Sequence, residues 1–390
     1  MPLDIAIIGA GIAGLTAAVS LRRSGHRVQI YEASAFSGEI GAALNLTPNG
    51  VQVLQHLGFD FKRAKAVQMV NWDTVSGIDL GRIACQDLHA AADKFGAPFF
   101  AVHRVDLHGE LMRLANVSEA RGPATGQQAD GILLQLASPV TRVDAEEGRI
   151  EFADGTVRHA DLVVGADGLR SVVRDAVARG AGVGEPVSLV ATGQSAFRFL
   201  VPTEDLQATA SGRKLLAWKT PGACLLADTK LVDKERHIMW YPCREDAKDT
   251  KCWPLFSMKP LSSWTFGKAV LIGDAAHPML PFGGQGSNQA IEDGGVLGRV
   301  LAGVQDATGL PQRLELFDKL RVRRASRIQI LSSVRANNEH LVQDQIAQYM
   351  EPGVPRTYNP WLPRAEEDAD IMMTFSTQLI PWPAGSRCSI

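Results

Sequence analysis

Three glycine-rich segments contain the residues of this chain whose types and spacing could do chemistry. The first, GAGIAG at residues 9–14, follows an apolar run at residues 5–8 and precedes apolar residues at helical spacing up to Leu21. A further run, RVQIYE at residues 27–32, predicts a second strand. The order of strand, glycine turn, helix and strand within about thirty residues predicts a unit that binds a dinucleotide.

The spacing of the glycines and of one acidic residue fits a pyrophosphate at the start of the helix. Gly9 permits the tight turn, Gly11 lets the backbone approach the phosphates, and Gly14 lets the helix pack on the strand. The helix N terminus supplies unpaired N–H groups and the positive end of the helix dipole. Glu32 can accept hydrogen bonds from an adenosine ribose and disfavours a 2′-phosphate, so this site is not expected to take NADP. FAD and NAD both stay open.

The other two glycine-rich segments carry a specific resemblance. They read DLVVGADGLRSVVR at residues 161–174 and GDAAHPMLPFGGQGSN at residues 273–288, and each includes or follows a predicted buried strand. They resemble the DG and GD motifs of class A flavoprotein aromatic hydroxylases, which are single-component FAD monooxygenases of the para-hydroxybenzoate hydroxylase fold. The runs EIGAALNLTPNG (39–50), AFRFLVP (196–202) and WYPCR (240–244) are most similar to fungal salicylate-hydroxylase-like members. The resemblance covers residues 3–345 and indicates FAD.

The third segment also suits a flavin on physical grounds. Asp274 follows a predicted strand at residues 268–272, where its carboxylate can reach ribityl hydroxyls or a water near the pyrophosphate. A helix is predicted over residues 285–304 and begins with Gly286, Ser287 and Asn288. Its positive N-terminal end would face the N1–O2 edge of the flavin, which is anionic when the flavin is reduced.

The resemblance implies further contacts with FAD. By similarity, Ala43 places backbone near the flavin, and Arg104 reaches the pyrophosphate or the ribityl chain. Asp167 would contact both FAD and NAD(P)H, while Asp274 and Ser287 complete the FAD contacts. Each charged residue has a simpler alternative role. Arg104 would be an exposed arginine at a helix start, Asp167 part of an Asp-Gly turn, and Asp274 a helix N-cap.

Arg198 and Tyr241 are the candidate catalytic residues. Residues at these positions hold the substrate phenolate in similar enzymes. An arginine suits that role because its guanidinium stays charged and binds oxygens directionally, and a tyrosine can pass a proton. The alternative is a cross-strand pair that touches no substrate. His277 is interpreted as structural, because a His-Pro step mostly fixes its loop.

The resemblance implies an FAD-dependent monooxygenase that hydroxylates a phenolic substrate with NADH or NADPH and O₂, through a flavin C4a-hydroperoxide. One alternative is an FAD reductase or oxidase without oxygen insertion. A second is an impaired short form that only binds FAD, because residues 245–250 stand where relatives have several dozen residues. The substrate, the position of hydroxylation and the preferred nicotinamide all stay open.

The predicted fold class is α/β. A Rossmann-like FAD-binding domain would comprise residues 1–75, 100–180 and 265–345, and a β-rich substrate domain would comprise residues 76–99 and 181–264, shortened after Arg244. Residues 346–390 are expected to form a C-terminal extension. Helices are predicted over residues 48–60, over residues 103–115 with Asp106 as cap, and within residues 314–350.

Composition limits the possible classes of protein. The 390 residues carry a net charge of −2, which argues against a nucleic-acid partner. The five cysteines show no CxxC spacing, so neither a zinc site nor a disulfide framework is expected, and no metal is assigned. The apolar stretch near the N terminus is interrupted by glycines and predicts no membrane anchor. A cytoplasmic protein is expected, and a homodimer is left open.

Overall fold

The structure is a computed structural model that describes residues 2–35, 43–119, 132–182, 188–218, 222–227, 237–243, 250–334 and 339–350. The predicted shortened segment after Arg244 and nearly all of the predicted C-terminal extension lie outside the described residues. The strands are β1 (Asp4–Ile8), β2 (Arg27–Tyr31), β3 (Ala43–Leu46), β4 (Val67–Met69), β5 (Asn71–Ser76), β6 (Arg82–Asp87), β7 (Phe99–His103), β8 (Val117–Glu119), β9 (Ile132–Gln135), β10 (Val140–Asp144), β11 (Arg149–Phe152), β12 (Val157–His159), β13 (Leu162–Gly165), β14 (Val190–Phe199), β15 (Ala223–Ala227), β16 (His237–Trp240), β17 (Thr250–Ser257), β18 (Thr265–Phe266) and β19 (Ala269–Leu271).

Helices alternate with the strands in the first half of the chain and dominate its end. They are α1 (Ile12–Arg23), α2 (Pro48–His56), α3 (Ala91–Phe95), α4 (Arg104–Ala115), α5 (Val172–Gly180), α6 (Thr203–Gln207), α7 (Ala210–Trp218), α8 (Gly286–Leu301), α9 (Leu310–Leu331) and α10 (Gln343–Ala347). None of the described helices is long and apolar enough to cross a membrane.

A seven-stranded sheet forms the centre of the molecule, in the order β18-β19-β13-β1-β2-β9-β8. Strand β1 pairs in parallel with β2 and β13, and β13 pairs in parallel with β19. The three glycine-rich segments directly follow β1, β13 and β19. Because these strands are neighbours and run in the same direction, the three segments meet at one edge of the sheet. The predicted α/β, Rossmann-like architecture is confirmed.

Helices α1 and α8 pack closely because α8 carries glycines where they cross. A Cβ at Gly294 would lie 2.6 Å from the backbone nitrogen of Ala17, and one at Gly298 would lie 2.1 Å from the Ser20 hydroxyl oxygen. The Ser24 hydroxyl then donates to the Gly298 carbonyl at 2.7 Å. This contact places the start of α8 beside the start of α1, so two helix N termini face the same cleft.

The remaining strands form smaller sheets. A four-stranded sheet, β16-β15-β5-β6, joins early and late parts of the chain, and β14 pairs only with β17 among the described strands. Strand β3 lies beside β7, which also pairs with β4. On β14 the side chains of Phe197 and Phe199 are 70% and 57% exposed, so the region predicted to hold the substrate is much less packed than the central sheet.

Two local predictions need correction. The substrate domain was predicted to be β-rich over residues 181–264, but two helices, α6 and α7, lie there between β14 and β15. Asp106 is not the N-cap residue of α4: it lies in the first turn, and the N-cap position is His103, whose side chain makes no capping hydrogen bond. Asp154 and Gly155 form the tight turn between β11 and β12, with Gly155 at a φ of 83°.

The α1–α8 contact predicts opposite effects of two glycine substitutions. Gly294→Ala should lower the free energy of unfolding by about 1–3 kcal/mol, because the added methyl group collides with backbone in a packed interface. Gly109→Ala, in the exposed middle of α4 with nothing within 4 Å, should raise it by about 0.5–1 kcal/mol. Urea denaturation of both variants measures this. Equal effects would contradict the proposed close contact.

Candidate active site

The GAGIAG segment is held from several sides. The Gly9 N–H donates to the Tyr31 carbonyl at 2.8 Å, and the Ala10 N–H donates to Glu32 Oε2 at 2.8 Å. Gly9 has a φ of 104°, and a Cβ there would lie 2.4 Å from the Ala166 carbonyl oxygen. At Gly14 a Cβ would lie 2.0 Å from the Gly9 carbonyl oxygen. These contacts explain why only glycine fits at both positions.

Gly11 differs from the other two glycines. It occupies the N-cap of α1 without a side-chain cap, and a Cβ added to it would meet nothing within 4 Å. Open space therefore faces the N terminus of α1, as a pyrophosphate group requires. Glu32 lies at the end of β2, and its Oε1 also accepts the Ser34 N–H at 2.8 Å.

The DG segment caps a helix. Asp167 Oδ2 accepts the Val172 N–H at 2.7 Å and the Val173 N–H at 3.2 Å, and its Oδ1 accepts the Ser171 hydroxyl at 2.5 Å. Burial raises the pKa of Asp167 above its usual value, although these donors act in the opposite direction. The Asp-Gly pair thus fixes the start of α5, and the predicted contact of Asp167 with FAD and NAD(P)H stays a prediction.

A buried arginine connects the DG and GD segments. Arg174 donates from Nη2 to the Leu169 carbonyl at 2.6 Å and from Nη1 to the Ala275 carbonyl at 3.1 Å. Its side chain is almost fully buried, and burial lowers the pKa of the guanidinium. The two loops therefore cannot move independently of each other.

Asp274 lies where positive charges converge. The Asp274 residue is exposed to solvent, although many protein atoms lie around its carboxylate. Burial raises the pKa of Asp274, while the nearby cations of Arg174 and Arg104 lower it. Because Arg104 begins α4, this interaction brings two predicted FAD contacts, Arg104 and Asp274, to the same side of the cleft.

Helix α8 holds the GD loop in place through the carboxylate of Asp293. Asp293 Oδ2 accepts the Gly273 N–H at 2.8 Å and binds His277 Nε2 at 2.6 Å. His277 is fully buried and packs against Trp264, with 4.9 Å between ring centroids. These contacts support the structural interpretation of His277.

The first residues of α8 divide into two groups. Gly286 and Ser287 are half-buried at the uncapped N terminus of α8, next to the cleft. Asn288 is fully buried: its Oδ1 accepts the Thr47 N–H at 3.0 Å, and its Nδ2 donates to the carbonyls of Asn45 and Gly284 at 2.9 and 3.0 Å. The Asn288 side chain thus binds β3 to α8, and only its backbone is free to approach a cofactor.

Tyr241 joins the substrate-side sheet to β3. Its hydroxyl donates to the Ala43 carbonyl at 2.7 Å. Burial raises the pKa of Tyr241 to about 12, although the positive charge of Arg198 acts to lower it. The structure therefore brings Arg198, Tyr241 and Ala43 into one neighbourhood. Arg198 itself lies exposed on β14.

These residues fit FAD. Two uncapped helix N termini, open space at Gly11 and the cations beside Asp274 suit a pyrophosphate. Gly11 and the α1 terminus would hold the phosphates, Glu32 the ribose, and Gly286 with Ser287 the flavin. Among the described residues no group of three or more His, Cys, Asp or Glu could hold a metal ion.

Several residues that organise the site were not predicted from the sequence. They are His108, whose Nε2 lies 2.8 Å from the Ala10 carbonyl oxygen, and the buried set Asn49, Glu292, Asp293 and Arg321. His108 had one signal, since it follows Arg104 by one helical turn and must share its face. The buried polar set has no comparable sequence pattern that would have identified it.

Known proteins match this arrangement. Residues 7–54 match the family described as an NAD(P)-binding Rossmann-like domain, and residues 233–331 match the family described as an FAD binding domain. FAD-dependent monooxygenase cfoG of Aspergillus candidus is 33% identical, with 88% of this chain and 87% of the relative covered. That alignment has 392 positions, and 88% of this 390-residue chain fills only part of them. The relative therefore carries stretches with no counterpart here. Hispidin-3-hydroxylase of Neonothopanus nambi is 31% identical, with 83% and 86% covered.

Solved structures agree with the fold. A salicylate hydroxylase in complex with its substrate is 25% identical, covers 91% of both chains and superposes with a TM-score of 0.65. The 2-methyl-3-hydroxypyridine-5-carboxylic acid oxygenase superposes with a TM-score of 0.69 at 21% identity, covering 92% of this chain and 98% of the other.

The fold and the cleft define a flavoprotein of the α/β class with a Rossmann-like dinucleotide site. The chain belongs to the FAD-dependent monooxygenases, the family of flavoprotein aromatic hydroxylases. FAD is its cofactor and NAD(P)H its reducing co-substrate, as the resemblance implied.

The bond between Tyr241 and Ala43 predicts how Tyr241→Phe behaves. Because the pKa of Tyr241 is raised to about 12, its hydroxyl stays protonated at neutral pH and acts as a donor. Between about pH 8 and about pH 11, the wild type and the variant should therefore show the same rise in tyrosinate absorbance. A smaller rise in the variant would mean that Tyr241 ionises near its ordinary pKa and can serve as a base.

Proposed function

We propose that this enzyme hydroxylates a small phenolic aromatic substrate, using NADH or NADPH and O₂, in the cleft between the GD loop and the sheet that carries Tyr241. The observation that carries the proposal is the Tyr241–Ala43 bond, which sets a candidate substrate residue against a candidate FAD contact. The relatives named hispidin-3-hydroxylase and 3-hydroxybenzoate 6-hydroxylase support a phenolic substrate.

When bound, FAD supplies the redox chemistry that activates O₂. Arg198 binds the substrate phenolate, because a guanidinium is suited to binding such an oxygen and the positive charge of Arg198 acts on the Tyr241 hydroxyl. Holding the substrate as a phenolate rather than a neutral phenol raises the electron density of the ring carbon that is hydroxylated. Tyr241 orients the β3 backbone through its bond to Ala43 and keeps its own proton. The α8 N terminus at Gly286 and Ser287 stabilises negative charge in the cleft.

The proposal keeps the two-domain division. The FAD-binding domain comprises residues 1–75, 100–180 and 265–345, and the substrate domain comprises residues 76–99 and 181–264. A cytoplasmic homodimer is the proposed setting. The four cysteines within the described residues are free thiols, which favours a reducing compartment, and the tetrameric form of one solved neighbour favours self-association in general. Light scattering of the purified protein tests the assembly.

A short form that binds FAD without hydroxylation is the second candidate. Exposed Phe197 and Phe199 on β14 favour it, since large apolar side chains on a sheet usually pack against further structure. Hydroxylation also requires exclusion of water from the cleft, and an open substrate side would let activated oxygen escape as hydrogen peroxide.

The purified protein should show the visible spectrum of bound oxidised flavin at near-stoichiometric FAD. A panel of phenolic acids with NADH and NADPH should then include one that stimulates O₂ consumption and yields a hydroxylated product. Stoichiometric FAD with NAD(P)H oxidation that yields only hydrogen peroxide for every phenol would favour an oxidase without oxygen insertion, and stoichiometric FAD with no NAD(P)H oxidation would favour the short form. A protein that cannot take up FAD would refute both candidates.

Arg198→Met tests the substrate side. We expect kcat/KM for the phenolic substrate to fall about 10²-fold, because a charge-assisted hydrogen bond to the phenolate oxygen is lost. FAD content should stay unchanged, since Arg198 lies on β14. Arg213→Met is the matched control, because Arg213 is also exposed and donates to the Gln207 carbonyl at 2.7 Å. Equal kcat/KM values for the two variants would remove Arg198 from the mechanism.

A further inference from the structure

Helix α4 presents two side chains toward the cofactor cleft, one helical turn apart. Arg104 and His108 share a face because residues four apart are neighbours on a helix. Arg104 lowers the pKa of Asp274, so its charge acts on the GD loop. His108 contacts the GAGIAG segment instead. One helix therefore acts on two of the three glycine-rich segments, on GAGIAG through a hydrogen bond and on the GD loop through its charge.

The His108 contact is a defined hydrogen bond. Its Nε2 lies 2.8 Å from the Ala10 carbonyl oxygen, and both residues are buried. Because a carbonyl oxygen can only accept, Nε2 must carry a hydrogen and donate it. On the other side of Ala10, the N–H donates to Glu32 Oε2 at 2.8 Å. The two peptide groups that flank Ala10 are thus fixed by α4 and by the end of β2.

Because a peptide group is planar, a hydrogen bond that fixes the direction of its carbonyl also fixes the direction of its N–H. The chain has no cis peptide bond among the described residues, so the Ala10 carbonyl and the Gly11 N–H point in opposite directions. Tying the carbonyl to His108 therefore turns the Gly11 N–H away from α4. A Cβ at Gly11 would meet nothing within 4 Å, so space is open at this residue, and no described backbone group accepts the Gly11 N–H.

We propose that His108 is a positioning residue for the dinucleotide: by holding the Ala10 carbonyl, it aims the Gly11 N–H at the pyrophosphate. The inference rests on the FAD site described above and adds a residue that the glycine pattern does not contain. Because His108 is buried and acts through the Ala10 carbonyl, its effect should fall on affinity for the diphosphate part of the cofactor.

A buried histidine can also serve only to hold a core together, and His26 provides the matched comparison. His26 and His108 are both 5% exposed. His26 Nε2 lies 3.0 Å from the Leu301 carbonyl oxygen and makes the same kind of bond just beyond the C-terminal end of α1. Replacing either histidine removes a buried bond, but only one of the two bonds orients the pyrophosphate-facing peptide.

The experiment compares His108→Phe, His108→Gln and His26→Phe as apo-proteins, with FAD and ADP as probes in calorimetric titrations. His108→Phe should weaken both ligands about tenfold, the effect of losing one well-placed hydrogen bond. His108→Gln should recover most of the affinity, because a glutamine amide can donate from a similar position. His26→Phe should lower the melting temperature of the apo-protein and leave both dissociation constants unchanged.

Unchanged FAD and ADP affinity in a folded His108→Phe protein would overturn the inference, as would equal losses in the His108 and His26 variants. If His108→Phe does not fold, the comparison passes to His108→Gln and His108→Asn, since the shorter asparagine cannot reach Ala10. Equal affinities of those two would then overturn it. A wild type that binds no FAD would refute the proposed function itself, which is a distinct result.

Discussion

The cleft depends on one buried ionic cluster between α8 and α9. The guanidinium of Arg321 is fully buried and binds Asp293 at 2.7 Å and Glu292, both also fully buried. Arg324 adds a second cation to Glu292 at 2.6 Å. Leaving one such buried charge unpaired costs about 3–5 kcal/mol. The two helices must therefore pack in one relative position, and Asp293 transmits that position to the GD loop through Gly273 and His277.

The charged groups in this region have opposite effects on folding. The buried ionic cluster between α8 and α9 stabilises the fold, whereas the carboxylate of Asp274 in the cleft destabilises it. Arg324 and Arg321 hold the pKa of Glu292 below its usual value against the effect of burial, so its stabilisation is present above that usual value and is lost as the pH falls through the lowered pKa. Burial raises the pKa of Asp274, so its charged form opposes folding, and that cost is absent below the usual pKa of an aspartate and grows as the pH rises toward the raised pKa. Such opposition is typical of a binding site maintained by its surroundings.

Sequence reasoning succeeded where the physics is local. The spacing of Gly9, Gly11 and Gly14 with a following acid defines a strand, turn and helix unit, and parallel strands must bring their carboxyl ends together. It could not find partners that are distant along the chain. Asn288 bonds to Thr47, 241 residues away, so a position assigned to the cofactor has its side chain in the core. Helices α6 and α7 were missed because they are only 5 and 9 residues long, too short to give a clear periodic signal between strands.

The two halves of the site differ in how strongly they are determined. The FAD side has each loop bonded to a neighbour: Arg174 holds the DG and GD loops together, and Asn288 holds β3 on α8. The substrate side rests on the Tyr241 bond to Ala43 and on β14, whose phenylalanines are exposed. Regions with few buried contacts open at lower free energy than a packed core. Cofactor binding can therefore persist where substrate closure is weak, so FAD content and hydroxylation coupling are physically separable properties of this chain.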